Sequence, residues 1–171
     1  MNDVDRRDWE RYAHGDDQSL ESIYSRHRQR LLNYCVYVTK SREIGEEIVQ
    51  ETFVRLMSQR ENLVIKTSLK DWLFICARNL CLNHLRVTKH QASLSEFRTE
   101  QAIESDSEMR HFIGRVLNQL TTEERDLILM REQQQYTISE IAHHLSASEE
   151  AIRVRLFRVR KKMQQLGKEH R

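Results

Sequence analysis

The chain has no proline and only four glycines, Gly15, Gly45, Gly114 and Gly167, in 171 residues. Sheets need tight turns, and tight turns draw on these two residues for backbone angles that others resist. A chain so short of both, and rich in Leu, Arg, Glu and Gln, points to an all-α protein. Charged residues make up 32% of the sequence and hydrophobic ones 39%. That balance suits amphipathic helices with wide solvated faces around modest cores. The length allows one large domain or two small ones.

Apolar spacing predicts where the helices fall. A short one is expected around residues 7–13, broken at Gly15-Asp16-Asp17. The next covers about residues 20–38, with Leu20, Ile23, Tyr24, His27, Leu31, Tyr34, Cys35 and Val38 in register. A third covers about 44–58 on Ile44, Ile48, Phe53, Leu56 and Met57, with Val49 on a second ridge. Residues 61–67 lack the period and read as a loop. A fourth helix is expected over about 68–86, with Leu69, Trp72, Leu73, Cys76, Leu80 and Leu85 on or near one face. These elements can close one small core, giving a domain over residues 1–87.

Residues 88–107 are polar. From 96 to 108 the acids Glu96, Glu100, Glu104, Asp106 and Glu108 meet only Arg98. This reads as a flexible acidic linker. A second domain, 108–171, opens on Met109, Phe112, Ile113, Val116, Leu117 and Leu120 at spacings of three and four. Thr121-Thr-Glu-Glu124 and Thr137-Ile-Ser-Glu140 both match a capping box, so a helix is expected to start at each. Ser146-Ala-Ser148 is a turn, and Ser148 can cap the last helix, whose stripe is Ile152, Leu156, Val159, Met163 and Leu166.

A short capped helix, a three-residue turn and a basic helix make the pattern of a helix-turn-helix. From Arg153 to Lys162 there are six basic residues and no acid: Arg153, Arg155, Arg158, Arg160, Lys161 and Lys162. The major groove of DNA admits one helix, whose first residues face base edges. Glu149, Glu150, Arg153 and Arg158 are expected to face outward, with the arginines suited to guanine. Arg155, Arg160, Lys161 and Lys162 suit phosphates, which position without specifying. Glu149 and Glu150 fit either the helix N-terminus or cytosine N4.

In the N-terminal half, Glu47, Gln50, Glu51 and Arg55 stand on adjacent turns. The row is compatible with an ordinary solvated face or with an acidic surface for a basic partner. Trp72, Arg78, Asn79, Asn83, His84 and Arg86 lie beside the apolar face of the fourth helix. They fit a plain surface, or single-stranded DNA whose bases stack and flip out. No nucleophile–base set, metal-ligand spacing or glycine-rich phosphate loop is present, so no enzyme activity, small-molecule substrate, metal or other cofactor is expected. The N-terminus lacks the apolar core of a secretion signal, and no run approaches a membrane span, so a cytoplasmic protein is expected. Cys35, Cys76 and Cys81 read as reduced thiols in apolar helix faces, with a redox role as the alternative.

Both constellations occur in order across one linker, and here the sequence resembles the extracytoplasmic-function (ECF) group of bacterial sigma factors. Trp9-Glu-Arg-Tyr12 with Gly15-Asp16 looks like the group's lead-in. Glu47-Ile-Val-Gln-Glu-Thr-Phe-Val-Arg-Leu56 is similar to its region-two signature. Asp71-Trp-Leu-Phe-Ile-Cys-Ala-Arg-Asn-Leu80, followed by Asn83-His-Leu-Arg86, is similar to its promoter-melting helix. Leu120, Ile138-Ser-Glu-Ile-Ala142 and Arg155-Leu-Phe-Arg-Val-Arg160 match region four.

The resemblance implies a transcription initiation factor that binds core RNA polymerase and directs it to promoters. It implies docking through Glu47, Gln50, Glu51 and Arg55. It implies capture of the melted minus-ten element by the loop at 61–70 with Trp72, Asn79, Asn83 and Arg86. It implies reading of duplex minus-35 DNA by Ser148, Glu149, Arg153, Arg155, Arg158 and Arg160. It further implies an anti-sigma partner, often at the inner membrane. The competing reading is a helix-turn-helix regulator that never joins polymerase, with a ligand-sensing N-terminal half. The chain departs from the family pattern in three places: Thr121 where proline is usual, Ser146 where glycine is usual, and Glu150-Ala151 where Gly-Thr is common. The last alters the surface facing DNA.

Overall fold

The structure, a computed structural model, describes residues 3–61, 68–92 and 108–169. Among these residues there are eight α-helices and no strand. The chain divides into two compact units, Met1–Glu100 and Gln101–Arg171.

The first unit contains α1 (Asp3–Ala13), α2 (Asp17–Thr39), α3 (Arg42–Ser58) and α4 (Leu69–Ala92). Helix α2 is the central element, packing against α1, α3 and α4, while α3 also packs on α4. Its core joins Ile23, Leu31, Tyr34, Cys35 and Val38 of α2 to Ile48, Phe53 and Leu56 of α3 and Leu69, Leu73, Phe74, Ala77 and Cys81 of α4. Edge-to-face ring pairs, Tyr34 with Phe74 at 4.7 Å and Tyr24 with Phe53 at 4.8 Å, tie α2 to its neighbours. Gly45 lets α3 approach α2 closely: a Cβ there would sit 2.8 Å from Val36 Cγ2 and 3.2 Å from the Val36 amide nitrogen.

Two polar clusters fix the remaining corners. Buried Asp5 of α1 takes both Arg26 and His27 of α2, and Arg26 also reaches Asp8 at 2.6 Å. Burial alone would push the Asp5 carboxyl up. Its bonds to His27 and Arg26 outweigh that and hold it below the usual carboxylate range. Arg60, just past α3, donates to the Tyr12 carbonyl at 3.0 Å, pairs with Asp17 at 3.0 Å and lies over the Tyr12 ring at 4.3 Å.

The helices are longer than their apolar periods. Helix α1 begins at Asp3, α2 at Asp17 behind Asp16, and α4 continues to Ala92, so residues 88–92 of the expected linker are helical. Val87-Thr-Lys-His-Gln-Ala92 holds no proline or glycine to stop a helix already nucleated. Residues 93–107 and the expected loop at 62–67 lie outside the described residues. Ser68 is the N-terminal cap of α4, accepting from the Asp71 amide at 3.0 Å, so Leu69 and Lys70 belong to the helix. The fully buried face of α4 runs through Leu69, Leu73, Phe74, Ala77 and Cys81, while Trp72, Cys76, Leu80 and Leu85 are half-buried. That rotation follows from α4 packing on three neighbours, α1, α2 and α3. Met57, expected in the α3 core stripe, is 49% exposed.

The second unit contains α5 (Glu108–Asn118), α6 (Thr122–Glu132), α7 (Ile138–His144) and α8 (Glu149–Glu169). Helix α8 packs against each of the other three. Both expected capping boxes form: Thr121 and Thr137 accept from the amides of Glu124 and Glu140, whose carboxylates accept from the threonine amides. Buried Arg125 closes the end of α5, donating to the carbonyls of Leu117 at 2.8 Å and Leu120 at 3.1 Å. No described helix is long and apolar enough to cross a membrane.

Candidate nucleic-acid interface

The helix-turn-helix is built from short-range chemistry. Helix α7 is only seven residues long, and the Thr137–Glu140 box satisfies its first amides. The chain leaves α7 through Leu145 and turns at Ser146, whose φ of +49° is left-handed. The Ala147 amide donates back to the Ala142 carbonyl at 2.9 Å, and Ser148 Oγ accepts from the Ala151 amide at 3.2 Å to start α8. Ser148 is thus occupied as the cap of α8.

Helix α8 buries Ile152, Leu156 and Val159, with Met163 and Leu166 half-buried behind them. The opposite face is exposed and carries Glu149, Glu150, Arg153, Arg155, Arg158, Arg160 and Lys161. The cations differ in what they already hold. Arg153 pairs with Glu149 at 2.8 Å and Arg160 with Glu132 at 2.6 Å, both between exposed side chains that water screens. Lys162 reaches Glu124 at 2.7 Å, and the same carboxylate accepts from the Thr121 amide at 2.9 Å. Burial would raise the Glu124 carboxyl, but Lys162 and Thr121 outweigh it and lower it below the usual range. Lys162 therefore ties α8 to α6 instead of facing outward, a non-local pair that spacing does not reveal.

The centre of the exposed α8 face also holds two apolar side chains, Val154 at 43% and Phe157 at 68% exposure. In the sequence they stand inside a run dominated by charge. The helical period would have found them, since they lie opposite the Ile152/Leu156/Val159 stripe.

On α3, Glu47, Gln50, Glu51 and Arg55 are all exposed, and Arg55 Nε donates to Glu51 at 2.7 Å. Val54, 57% exposed, and Met57, 49% exposed, stand on the same side, giving the row an apolar centre. On α4, Trp72 is half-buried and Asn79, Asn83 and Arg86 are exposed. Their i, i+7, i+11 and i+14 spacing puts them on one helix face. All three cysteines are free thiols, Cys35 and Cys81 buried. Burial pushes the Cys76 thiol up against the pull of Arg55 and Thr52, which disfavours its thiolate. The described residues hold no group of three or more His, Cys, Asp or Glu able to bind a metal ion.

Comparison with known proteins follows the same division. Residues 23–91 match the Sigma-70 region 2 family model and residues 113–163 the Sigma-70, region 4 model. The chain is 26% identical over 170 residues to the ECF RNA polymerase sigma factor SigX of Bacillus subtilis (strain 168), covering 90% of this chain and 88% of that protein. It is 24% identical over 163 residues to the RNA polymerase sigma factor CarQ of Myxococcus xanthus, covering 92% and 94%. Among solved structures it is similar to the sigma factor RpoE in complex with the anti-sigma factor NepR from Bartonella quintana, with a TM-score of 0.75 and 18% identity over 88% of this chain and 99% of that one. It is also similar to CnrH in complex with the cytosolic domain of CnrY, with a TM-score of 0.71 and 20% identity over 96% and 97%. At such identities the structural likeness carries the fold alone. A region 2 match across α2 to α4 gives the N-terminal unit an identity other than ligand sensing, and the region 4 match falls on the helix-turn-helix. The two matches, in chain order and spanning most of the chain between them, show that it belongs to the ECF sigma factors of the sigma-70 family, which direct RNA polymerase to specific promoters.

Proposed function

We propose that three surfaces divide the work of this sigma factor. Glu47, Gln50, Glu51 and Arg55 dock on core polymerase around an apolar centre made by Val54 and Met57. Trp72, Asn79, Asn83 and Arg86 hold the unpaired minus-ten strand, Trp72 by stacking and the others by hydrogen bonds, with no covalent step. Helix α8 reads duplex minus-35 DNA. Its cap Ser148 and first-turn Glu149 set the N-terminus, Arg153 and Arg158 face bases, and Arg155 and Arg160 face phosphates. The working domains are the N-terminal unit through the end of α4 at Ala92 and the C-terminal unit from Glu108 on, joined by the acidic segment between them. The protein acts in the cytoplasm as a non-catalytic polymerase subunit, and an anti-sigma factor, in some settings at the inner membrane, holds it inactive.

The observation that carries this reading is the composition of the exposed faces. The α3 face combines charge with uncovered Val54 and Met57, as a protein-docking surface does. The α8 face is basic on a helix whose opposite side is buried. The test is reconstitution with core polymerase and transcription from a promoter library. Met57→Glu should weaken core binding at least about tenfold with the fold intact, because losing one buried apolar side chain costs about 1.5 kcal/mol or more and about 1.4 kcal/mol is a decade. Gln50→Ala with Glu51→Ala should also weaken it with the fold intact. Unchanged affinity for core would remove α3 from the docking surface.

A further inference from the structure

We infer that Val154 and Phe157 form a thymine-methyl reader on α8, so that this sigma factor selects upstream duplexes by neighbouring thymines as well as by its arginines. The inference rests on the assignment of α8 as the duplex-reading helix and names part of what it reads.

Phe157 is 68% exposed and Val154 43% exposed, one turn apart on the face opposite buried Ile152, Leu156 and Val159. A lone exposed apolar residue needs no explanation. Two together, at the centre of a face rimmed by exposed Arg153, Arg155, Arg158 and Lys161, form an apolar spot inside a cationic frame. The partner with matching features is anionic and presents small apolar groups at its surface. Duplex DNA does both: phosphates border the major groove, and the thymine C5 methyl is the apolar group on its floor. The axial rise places Val154 and Phe157 about 4.5 Å apart along the helix, close to the ~3.4 Å step between bases of one strand. The pair therefore addresses methyls on neighbouring base pairs. Both side chains lie within the first three turns of α8, the part of a recognition helix that meets base edges.

The test uses holoenzyme reconstituted from core polymerase and the full chain. Promoters are selected from a library randomised upstream. Each thymine of the enriched upstream element, on both strands, is then replaced singly by deoxyuridine. This removes one methyl and leaves pairing and phosphates unchanged. At least one replacement, or two adjacent ones, should weaken binding about fourfold, the factor for one methyl-sized group at about 0.8 kcal/mol. Phe157→Ala or Val154→Ala should bind the thymine duplex more weakly and lose sensitivity to that replacement, while Phe157→Leu recovers part of it. Thermal unfolding of each variant checks the fold. An enriched element without thymines, or one whose uracil replacements are all neutral, overturns the inference. So does an alanine variant that keeps full sensitivity to the methyl, which would leave the patch to an acidic protein partner. Failure to enrich any upstream element while core binding persists overturns the minus-35 reading itself and is distinguishable from these outcomes.

Discussion

Lys162 and Arg155 carry the same charge on the same helix and should behave differently on DNA. Lys162 lies 2.7 Å from the Glu124 carboxylate, whereas Arg155 and Lys161 are exposed. Each phosphate neutralised steepens the fall of log affinity with log salt by about 0.9. Removing Arg155 and Lys161 together, at one phosphate each, should flatten that slope by about 1.8. Between about 50 and 200 mM salt, the affinity lost would then be roughly twelvefold smaller than for the natural chain. Lys162→Met should leave the slope unchanged and lower stability instead. Its pair with Glu124 is between side chains 40% and 29% exposed, so the loss is at most about 1 kcal/mol, a fall in Tm of up to about 4–8 °C for a unit of this size. The assay is promoter binding by reconstituted holoenzyme across a salt series, with thermal unfolding of the free chain alongside. A slope change at Lys162→Met matching that of Arg155→Ala would refute the reasoning, because Lys162 would then leave Glu124 for a phosphate.

Two further perturbations address the N-terminal unit. Gly45→Ala gains about 1 kcal/mol of helix preference but sets a methyl 2.8 Å from Val36 Cγ2. Overpacking costs about 1–3 kcal/mol, so a net loss is expected in denaturant unfolding, and a stabilised variant would mean that α2 moves aside freely. Asp5→Asn should cost about 3 kcal/mol, the lower end for breaking a buried pair, because Arg26 keeps Asp8. Because the Asp5 carboxyl is held below its usual range, its contribution is complete at neutral pH and is lost as pH falls through its folded-state titration. The stability gap between Asp5→Asn and the natural chain should therefore close on acidification; a gap constant into strong acid would contradict this.

What the sequence made legible was local. The capping boxes at Thr121 and Thr137, and Ser148 as a cap, depend on residues three apart and form as expected. The apolar period found the α8 stripe for the same reason. Features set by partners distant in sequence were not legible. Met57 follows the α3 period yet lies outside its core, because the packing of α3 on α2 and α4 sets which ridge is covered. Lys162 reads as one more cation in a basic run until Glu124, thirty-eight positions earlier, is brought beside it. Val154 and Phe157 stand inside a run whose charge dominates its composition. Their exposure becomes informative only once the buried side of α8 is known.

Each unit closes its own core, and that shapes how the protein holds a promoter. Under the division of DNA reading proposed above, two bodies joined by one chain act as linked grips on separate stretches of promoter, and each engagement makes the next intramolecular. Neither grip then has to be tight alone. An upstream element too weak to retain the C-terminal unit in isolation becomes effective once the N-terminal unit is engaged, and a strong one can compensate for a poor minus-ten sequence. Release can likewise proceed one unit at a time, so a factor assembled this way combines firm promoter selection with ready departure.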